Sequence, residues 1–290
     1  MKTIACFGGA NIDIIQRCCR HPVLHTSNPT VTTYHFGGVA RNIAERLARS
    51  NTPSALISMV GDDVYGNLIV NAMSDVGVDT EYVLRSNTYP TGSYTALIDP
   101  NGELFIATAD MTVIDNFTPA IIGSAARHYA DAPIWLVDNN LTEEVVHYLS
   151  EQRSDRTSLW GIAVSIPKLP AFASTLESFD GLSLNGSELL ALTGKATLDE
   201  AANYCLERAD LTLCVTNGSD DVRLYSRKKS RFFLVPTVDV DDVTGAGDTF
   251  TAAVLNALFQ QEDIETAIGQ AVEETAAWLV CSNRRSPILC

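Results

Sequence analysis

Near its C-terminal end the chain reads DVDDVTGAGDTF, Asp239 to Phe250. Gly245, Ala246 and Gly247 stand directly before a stretch in which Phe250, Ala253, Val254, Ala257 and Leu258 share one helical face. The spacing predicts a helix beginning at or just after Gly247. The first amides of such a helix have no intrahelical acceptor, and the helix dipole adds positive potential there. Two glycines let the backbone come close to a ligand. An anion suits that position. Yet a carboxylate, Asp248, follows at once. Beside the anion it can accept a proton from a hydroxyl, which turns the hydroxyl into a nucleophile toward a phosphoryl group. Taken alone, Asp248 reads equally well as a first-turn acid that only complements the dipole.

Other phosphate-binding patterns are missing. No G-x-x-x-x-G-K-[ST] occurs, and LTGKA (192–196) lacks both the upstream glycine and the final Ser or Thr. GGANID (8–13) follows a strand-like run without the later glycines of a dinucleotide fingerprint. A lysine-free cradle can still stabilise charge that develops during transfer.

The elements that must position these residues alternate. Residues 3–8, 54–61, 133–138, 179–185 and 211–217 read as buried strands. Residues 40–50, 66–77, 142–152, 186–194 and 197–209 read as helices, with Ala40, Ile43, Ala44 and Leu47 on one face of the first. Such alternation predicts an α/β fold, a mostly parallel sheet covered by helices on both faces. TGSYTALIDPNGELFIATAD (91–110) breaks it: two strand-like runs flank Asp99-Pro100-Asn101-Gly102, which fits a type I turn. This hairpin has no covering helix. With extended pieces near 14–17 and 30–35 it predicts a small separate sheet, acting as a lid, a dimer surface, or both. SRKKSR (226–231) reads as a solvated loop between strands.

Composition sets the remaining limits. A chain of 290 residues with 46% hydrophobic and 19% charged residues is an ordinary globular protein. The formal charge of −15 argues against nucleic-acid backbones as partners. No apolar run reaches membrane-spanning length and the first residues lack a signal-peptide pattern, so no membrane association and a cytoplasmic location are expected. Seven cysteines without C-x-x-C, and five histidines without H-E-x-x-H, predict neither disulfides nor a zinc site.

Asp242-Val243-Thr244-Gly245-Ala246-Gly247-Asp248 resembles the D-T-x-G-A-G-D signature of the PfkB (ribokinase-like) sugar and nucleoside kinases. FGGVARNIAERLA (36–48) supplies Gly37, Gly38 and Asn42 at that family's spacing. NID (11–13), VGDDVYG (60–66), NGSE (185–188) and VTNGSDDV (215–222) match further motifs in the expected order, so the resemblance covers nearly the whole chain. Within the family it is nearest to the pseudouridine kinases, on residues 27–48, 91–103 and 109–115, with Arg41 before Asn42 and the pair Asp110-Met111.

The resemblance implies a single ribokinase-like domain over 1–290, with a β lid built from segments near 12–35 and 88–112. It implies ATP-dependent phosphorylation of pseudouridine to pseudouridine 5′-phosphate. Asp248 would be the base for the ribose 5′-hydroxyl, and Gly245, Ala246 and Gly247 the anion hole. Asn11, Asp13, Gly37, Gly38 and Asn42 would hold ribose hydroxyls, with Ser93 and Asp110 reaching from the lid. Asn185 and Glu188 would organise Mg²⁺ through water; Thr216, Gly218, Ser219 and Asn283 would line the nucleotide pocket. Asp242 and Thr244 would hold a monovalent cation such as K⁺. A homodimer through the lid is also expected. Two positions depart from the family pattern. Asp221 stands near the expected second glycine of the ATP turn, where its charge would repel a nucleotide. Ile162-Ala163 replaces Asp-Pro and removes a carboxylate near the phosphates. Two alternatives stay open: a kinase for another ribonucleoside or sugar, and a weakly active nucleoside-binding protein on the same fold.

Overall fold

A computed structural model describes residues 2–240 and 242–283. In chain order the elements are β1 (Ile4–Phe7), β2 (Asn11–Cys18), β3 (Thr30–Gly37), α1 (Val39–Arg49), β4 (Ser54–Gly61), α2 (Val64–Asp75), β5 (Val83–Ser86), β6 (Gly92–Ile98) and β7 (Leu104–Asp110). There follow α3 (Thr112–Asp115), α4 (Pro119–His128), β8 (Ile134–Asp138), α5 (Glu143–Gln152), β9 (Ser158–Ile162), α6 (Pro170–Ser174), β10 (Gly181–Asn185), α7 (Gly186–Thr193) and α8 (Leu198–Arg208). The last are β11 (Thr212–Asn217), β12 (Asp221–Tyr225), β13 (Ser230–Leu234), α9 (Ala246–Phe259) and α10 (Ile264–Asn283).

The main sheet has the order β13-β12-β11-β10-β9-β8-β1-β4-β5. It is parallel from β5 to β11, and only β12 and β13 run antiparallel. β1, β4 and β8 are buried along their whole length, as strands covered on both faces must be. Alternation divides their side chains. Ala5 and Phe7 join Ile57, Trp135, Phe172 and Leu213 in one core, while Ile4 and Cys6 join Ile43, Leu47, Leu136, Phe250 and Leu255 in the other. α1 presents Ala40, Ile43, Ala44 and Leu47 inward and ends on the basic residues Arg46 and Arg49, which suit its negative terminus. α7 and α8 each begin with a capping box, Asn185 with Glu188 and Thr197 with Glu200.

The small sheet has the order β3-β2-β6-β7. Its hairpin turn forms as the sequence implies, with Gly102 N donating to Asp99 O at 3.1 Å. Asp99 Oδ1 also accepts from Asn101 N and Glu103 N. Among the described residues no helix covers β7, whose Leu104, Phe105 and Ile106 are exposed. SRKKSR spans the turn from β12 to β13, with Ser226 and Lys229 bonded across it. No disulfide is present among the described residues, and no helix there is long and apolar enough to cross a membrane.

Candidate active site

The loops at the C-terminal ends of the parallel strands meet over Asp138, the last residue of β8. Its carboxylate is fully buried and accepts from Gly9 N at 2.9 Å, Ala40 N at 3.1 Å and Asn140 N at 2.9 Å. One side chain thus joins the β1–β2 turn, the start of α1 and the β8–α5 loop. Burial holds its carboxyl above the usual carboxylate range, against three backbone donors that favour the charge. Lys168 Nζ donates to Asn140 Oδ1 across the same edge. In open α/β sheets this edge is where ligands bind.

Above Asp138 lies the end of the small sheet. Asn11 is in register with Gly37 on one side and Gly92 on the other. Asn11 Nδ2 donates to Asp13 Oδ1 at 2.7 Å. A methyl group on Gly37 would lie 2.5 Å from the Asp13 carboxylate and 2.6 Å from the Asn11 amide. Gly38 has φ of 100°, and a methyl group there would lie 2.2 Å from Gly9 O. Only glycines permit that approach. Burial raises the Asp13 carboxyl, and Asn11, Arg41 and His35 partly counter it. The face that carries Asn11 and Asp13 also carries His35 and Tyr94, through their register with Asp13.

Ser93 and Asp110 are not brought to that face. Ser93 is in register with Ile12 and Asp110 with Ser93, and side chains alternate across a sheet. Asp110 instead accepts from the amide and hydroxyl of Thr112 at the start of α3, which holds its carboxyl below the usual range.

α9 starts at Ala246, and its N-cap Gly245 is left-handed, with φ of 83° and no side-chain cap. Ala246 N donates to Val243 O at 3.0 Å, so in this conformation that amide is already engaged. A side chain added at Gly247 would meet nothing within 4 Å among the described residues, so the mouth of the helix is open there. Asp248 is the third residue of the helix, and Asn42 Nδ2 from α1 donates to its Oδ2 at 2.6 Å. Burial pushes the Asp248 carboxyl up to about 6; Asn42, Arg46 and Arg41 oppose this and Asp138 adds to it. A carboxyl with that midpoint is mostly charged at neutral pH and has the basicity that suits general-base chemistry there. We therefore predict that kcat/KM falls on the acidic side with a midpoint near 6, because the raised carboxyl takes up a proton there and stops accepting one. A pH–rate profile at saturating nucleotide checks it. Arg46 lies under the same turn, its guanidinium 4.3 Å from the Trp278 ring and Nη2 3.5 Å from Gly245 O.

The remaining predicted residues lie farther along the same sheet edge. Asn185 and Glu188 hold each other, Asn185 N to Glu188 Oε2 at 2.8 Å and Glu188 N to Asn185 Oδ1 at 2.9 Å. Burial raises the Glu188 carboxyl. Thr216 is in register with Asn185, and Gly218, left-handed at φ of 62°, and Ser219 turn the chain into β12. Asp221 Oδ1 accepts from Asn217 Nδ2 at 3.0 Å and its Oδ2 from Arg223 Nε at 2.9 Å, so its charge is paired. Ile162 is buried in the core, in register with Asp138. Asp242 Oδ1 accepts from Thr244 N at 2.8 Å on the exposed segment before α9. Asn283 ends α10, and its side chain lies outside the described residues. Among the described residues no three His, Cys, Asp or Glu side chains gather to hold a metal.

Sequence reasoning missed Asp138, Asn140, Lys168, Arg46, His35 and Tyr94 as neighbours of the site. The signal for the first two was present: three polar residues, Asp138-Asn139-Asn140, end an otherwise apolar run. Lys168 and Arg46 had no local signal, since each reaches the site only through the fold.

The chain is similar to known proteins over nearly its full length. It is 29% identical to "Ribokinase" of Bacillus subtilis, over 97% of this chain and 94% of that one. To "Pseudouridine kinase" of Escherichia coli it is 26% identical, over 87% and 82%. A solved "Carbohydrate kinase from Agrobacterium tumefaciens" superposes with a TM-score of 0.84 at 28% identity, covering 95% and 90%. The ribokinase fold is matched by the structure of Arabidopsis thaliana ribokinase complexed with ribose and ATP, at a TM-score of 0.88 and 24% identity over 97% and 93%. The family model "pfkB family carbohydrate kinase" matches residues 1–286, so the chain belongs to that family of kinases.

Proposed function

We propose that the protein transfers the γ-phosphoryl group of ATP to the 5′-hydroxyl of pseudouridine. The observation that carries this reading is the pairing of Asp248, raised to about 6 at the open N-terminus of α9, with Asn42 beside the Gly37-Gly38 platform. Asn11 and Asp13 bind ribose hydroxyls, and the two glycines let the sugar lie against the backbone. Asp248 accepts the proton of the attacking hydroxyl. The first-turn amides of α9 receive the charge that builds on the transferring group.

The residues fit ATP with Mg²⁺, because that ion keeps most of its water and needs few protein ligands. When bound, Mg²⁺ neutralises phosphate charge. Glu188 would reach it through water, and Asp242 with Thr244 would hold K⁺. Glu188→Gln tests the first role. It keeps the capping box, so Tm should stay near that of the wild type while the Mg²⁺ concentration for half-maximal rate rises. An unchanged Mg²⁺ midpoint would leave Glu188 a capping residue only. Thr216, Gly218, Ser219 and Asn283 line the nucleotide side, and the pairing of Asp221 removes the repulsion its charge would otherwise cause.

Pseudouridine is favoured by the matches at residues 27–48, 91–103 and 109–115 and by the E. coli relative. The similarity to the B. subtilis relative supports a second reading, a free pentose as acceptor. A panel of pseudouridine, uridine and ribose with ATP and Mg²⁺, read by ADP release, separates them. The highest kcat/KM for pseudouridine supports the first reading, and for ribose the second. The small sheet serves as lid and dimer surface in this account, its exposed Tyr34 and Ile106, on one face by register, meeting a second copy. Unpaired cysteines suit a cytoplasmic location.

A further inference from the structure

We propose that Arg41 is a positioning residue: it fixes the orientation of the Asn42 amide and so aims that amide's NH₂ group at Asp248. The kinetic consequence rests on the reading of Asp248 as the base; the positioning itself does not.

Arg41 is 5% exposed. Its Nε donates to Gly37 O at 3.3 Å, and Nη2 to Phe36 O and to Asn42 Oδ1. Nη1 donates to Glu45 Oε2. A primary amide has one oxygen that accepts and one NH₂ that donates. With a cation on one side of Asn42 and a carboxylate on the other, one orientation satisfies both. The opposite one sets NH₂ against the guanidinium and oxygen against Asp248. The planar guanidinium spans both carbonyls and the amide with fixed geometry, which a lysine lacks. Because the two carbonyls belong to the end of β3, Arg41 also ties the Gly37 platform to the base.

Several groups act on each partner. Asp248 faces Asn42, Arg41 and Arg46 from α1, and Asp138 from β8. Arg41 faces Glu45, Asp248, Asp13 and Arg46. Arg46 acts on Asp248 from its own place beside Gly245 O, so the loss of one charge does not empty the site of positive potential.

The test is the ¹³C carboxyl titration of Asp248 in the full chain without ligands. Wild type, Arg41→Met, Asn42→Ala and the double variant form a cycle. Both single variants should raise the midpoint, each by roughly one pH unit or less. The shift caused by Arg41→Met should shrink to half or less when Asn42 is already alanine, because only the bare charge effect remains. Equal shifts in both backgrounds would overturn the proposal, as would no shift. If Arg41→Met does not fold, Arg41→Lys takes its place in the cycle. It keeps the charge but not the fork and should still move the midpoint upward; a wild-type midpoint would overturn the proposal. The acidic limb of kcat/KM should move with the carboxyl. If the carboxyl moves in the predicted way and the limb does not, positioning stands and the base reading fails.

Discussion

Asp248→Asn is expected to lower kcat by on the order of 10³-fold, the contribution of a well-placed general base. Acceptor affinity should change little. An asparagine there can keep an oxygen toward Asn42 Nδ2, so the hydrogen bond that is 2.6 Å in the wild type survives. What disappears is the capacity to take the hydroxyl proton. Stability gives an internal control. An acid whose midpoint is raised by burial stabilises the fold while protonated, below its unfolded value, and loses that contribution as pH rises through about 6. At pH 8 the wild type carries the charged form at a cost, so the variant should melt no lower than the wild type. Stopped turnover with an undiminished Tm identifies lost chemistry and excludes misfolding. Near-normal kcat would remove the assignment.

Gly38→Ala is expected to damage both stability and the acceptor site. A β-carbon at Gly38 would lie 2.2 Å from Gly9 O and 2.8 Å from the Cα of Ala10, on backbone at φ of 100°. Neither neighbour is a flexible side-chain end, so the β1–β2 turn must move. Left-handed strain and overpacking together cost about 3 kcal/mol. The displaced turn carries Gly9, whose amide is anchored on Asp138, and leads into Asn11 and Asp13. A shift of about 1 Å there is worth on the order of 10²-fold in kcat/KM. Gly37→Ala makes the contrast. The atoms nearest its β-carbon are side-chain ends of Asp13 and Asn11, which can turn away where backbone cannot. That variant should keep most of its Tm and still lose acceptor affinity. Denaturant melts together with acceptor titrations read both effects. Equal Tm losses in the two variants would contradict this account of the platform.

The fold was legible wherever burial wrote itself into a period. β4 coincides with the expected span 54–61, and α1 lies within one residue of 40–50, because continuous apolar runs and a clean inward stripe leave little choice. Helix α9 begins at Ala246, earlier than the expected start at or just after Gly247, because Gly245 in the left-handed region serves as its N-cap. The short strand β5 was not anticipated, and β12 and β13 were expected only as unbounded strands on either side of SRKKSR. β5 has four residues at the sheet edge, and β12 and β13 mix charged with apolar side chains, so their pattern is weak.

The candidate site was legible where its residues sit on one local motif. Asp248, Gly245 and Gly247 are close in sequence, and Asn42 is reached from the pattern around Gly37 and Gly38. Partnership across the fold was hidden. Nothing local says that Asn42, 206 positions away, bonds Asp248, or that Asp138 anchors the turn before Asn11. The sheet register sets Ser93 and Asp110 on the face opposite Asn11 and Asp13, which their own tetrapeptides do not reveal and which a one-residue change of pairing would reverse. The partners of Asp221, Asn217 and Arg223, were likewise hidden from its local sequence.

The central claim is that the carboxylate at the mouth of α9 takes the acceptor's proton. A crystal structure of the full chain with a non-hydrolysable ATP analogue, Mg²⁺ and pseudouridine tests it most directly. The account predicts an Asp248 oxygen within about 2.6–3.2 Å of the 5′-oxygen, with the terminal phosphate against the amides of Gly247 and Asp248. A 5′-oxygen bonded to another side chain, with Asp248 turned away and still held by Asn42, would contradict it.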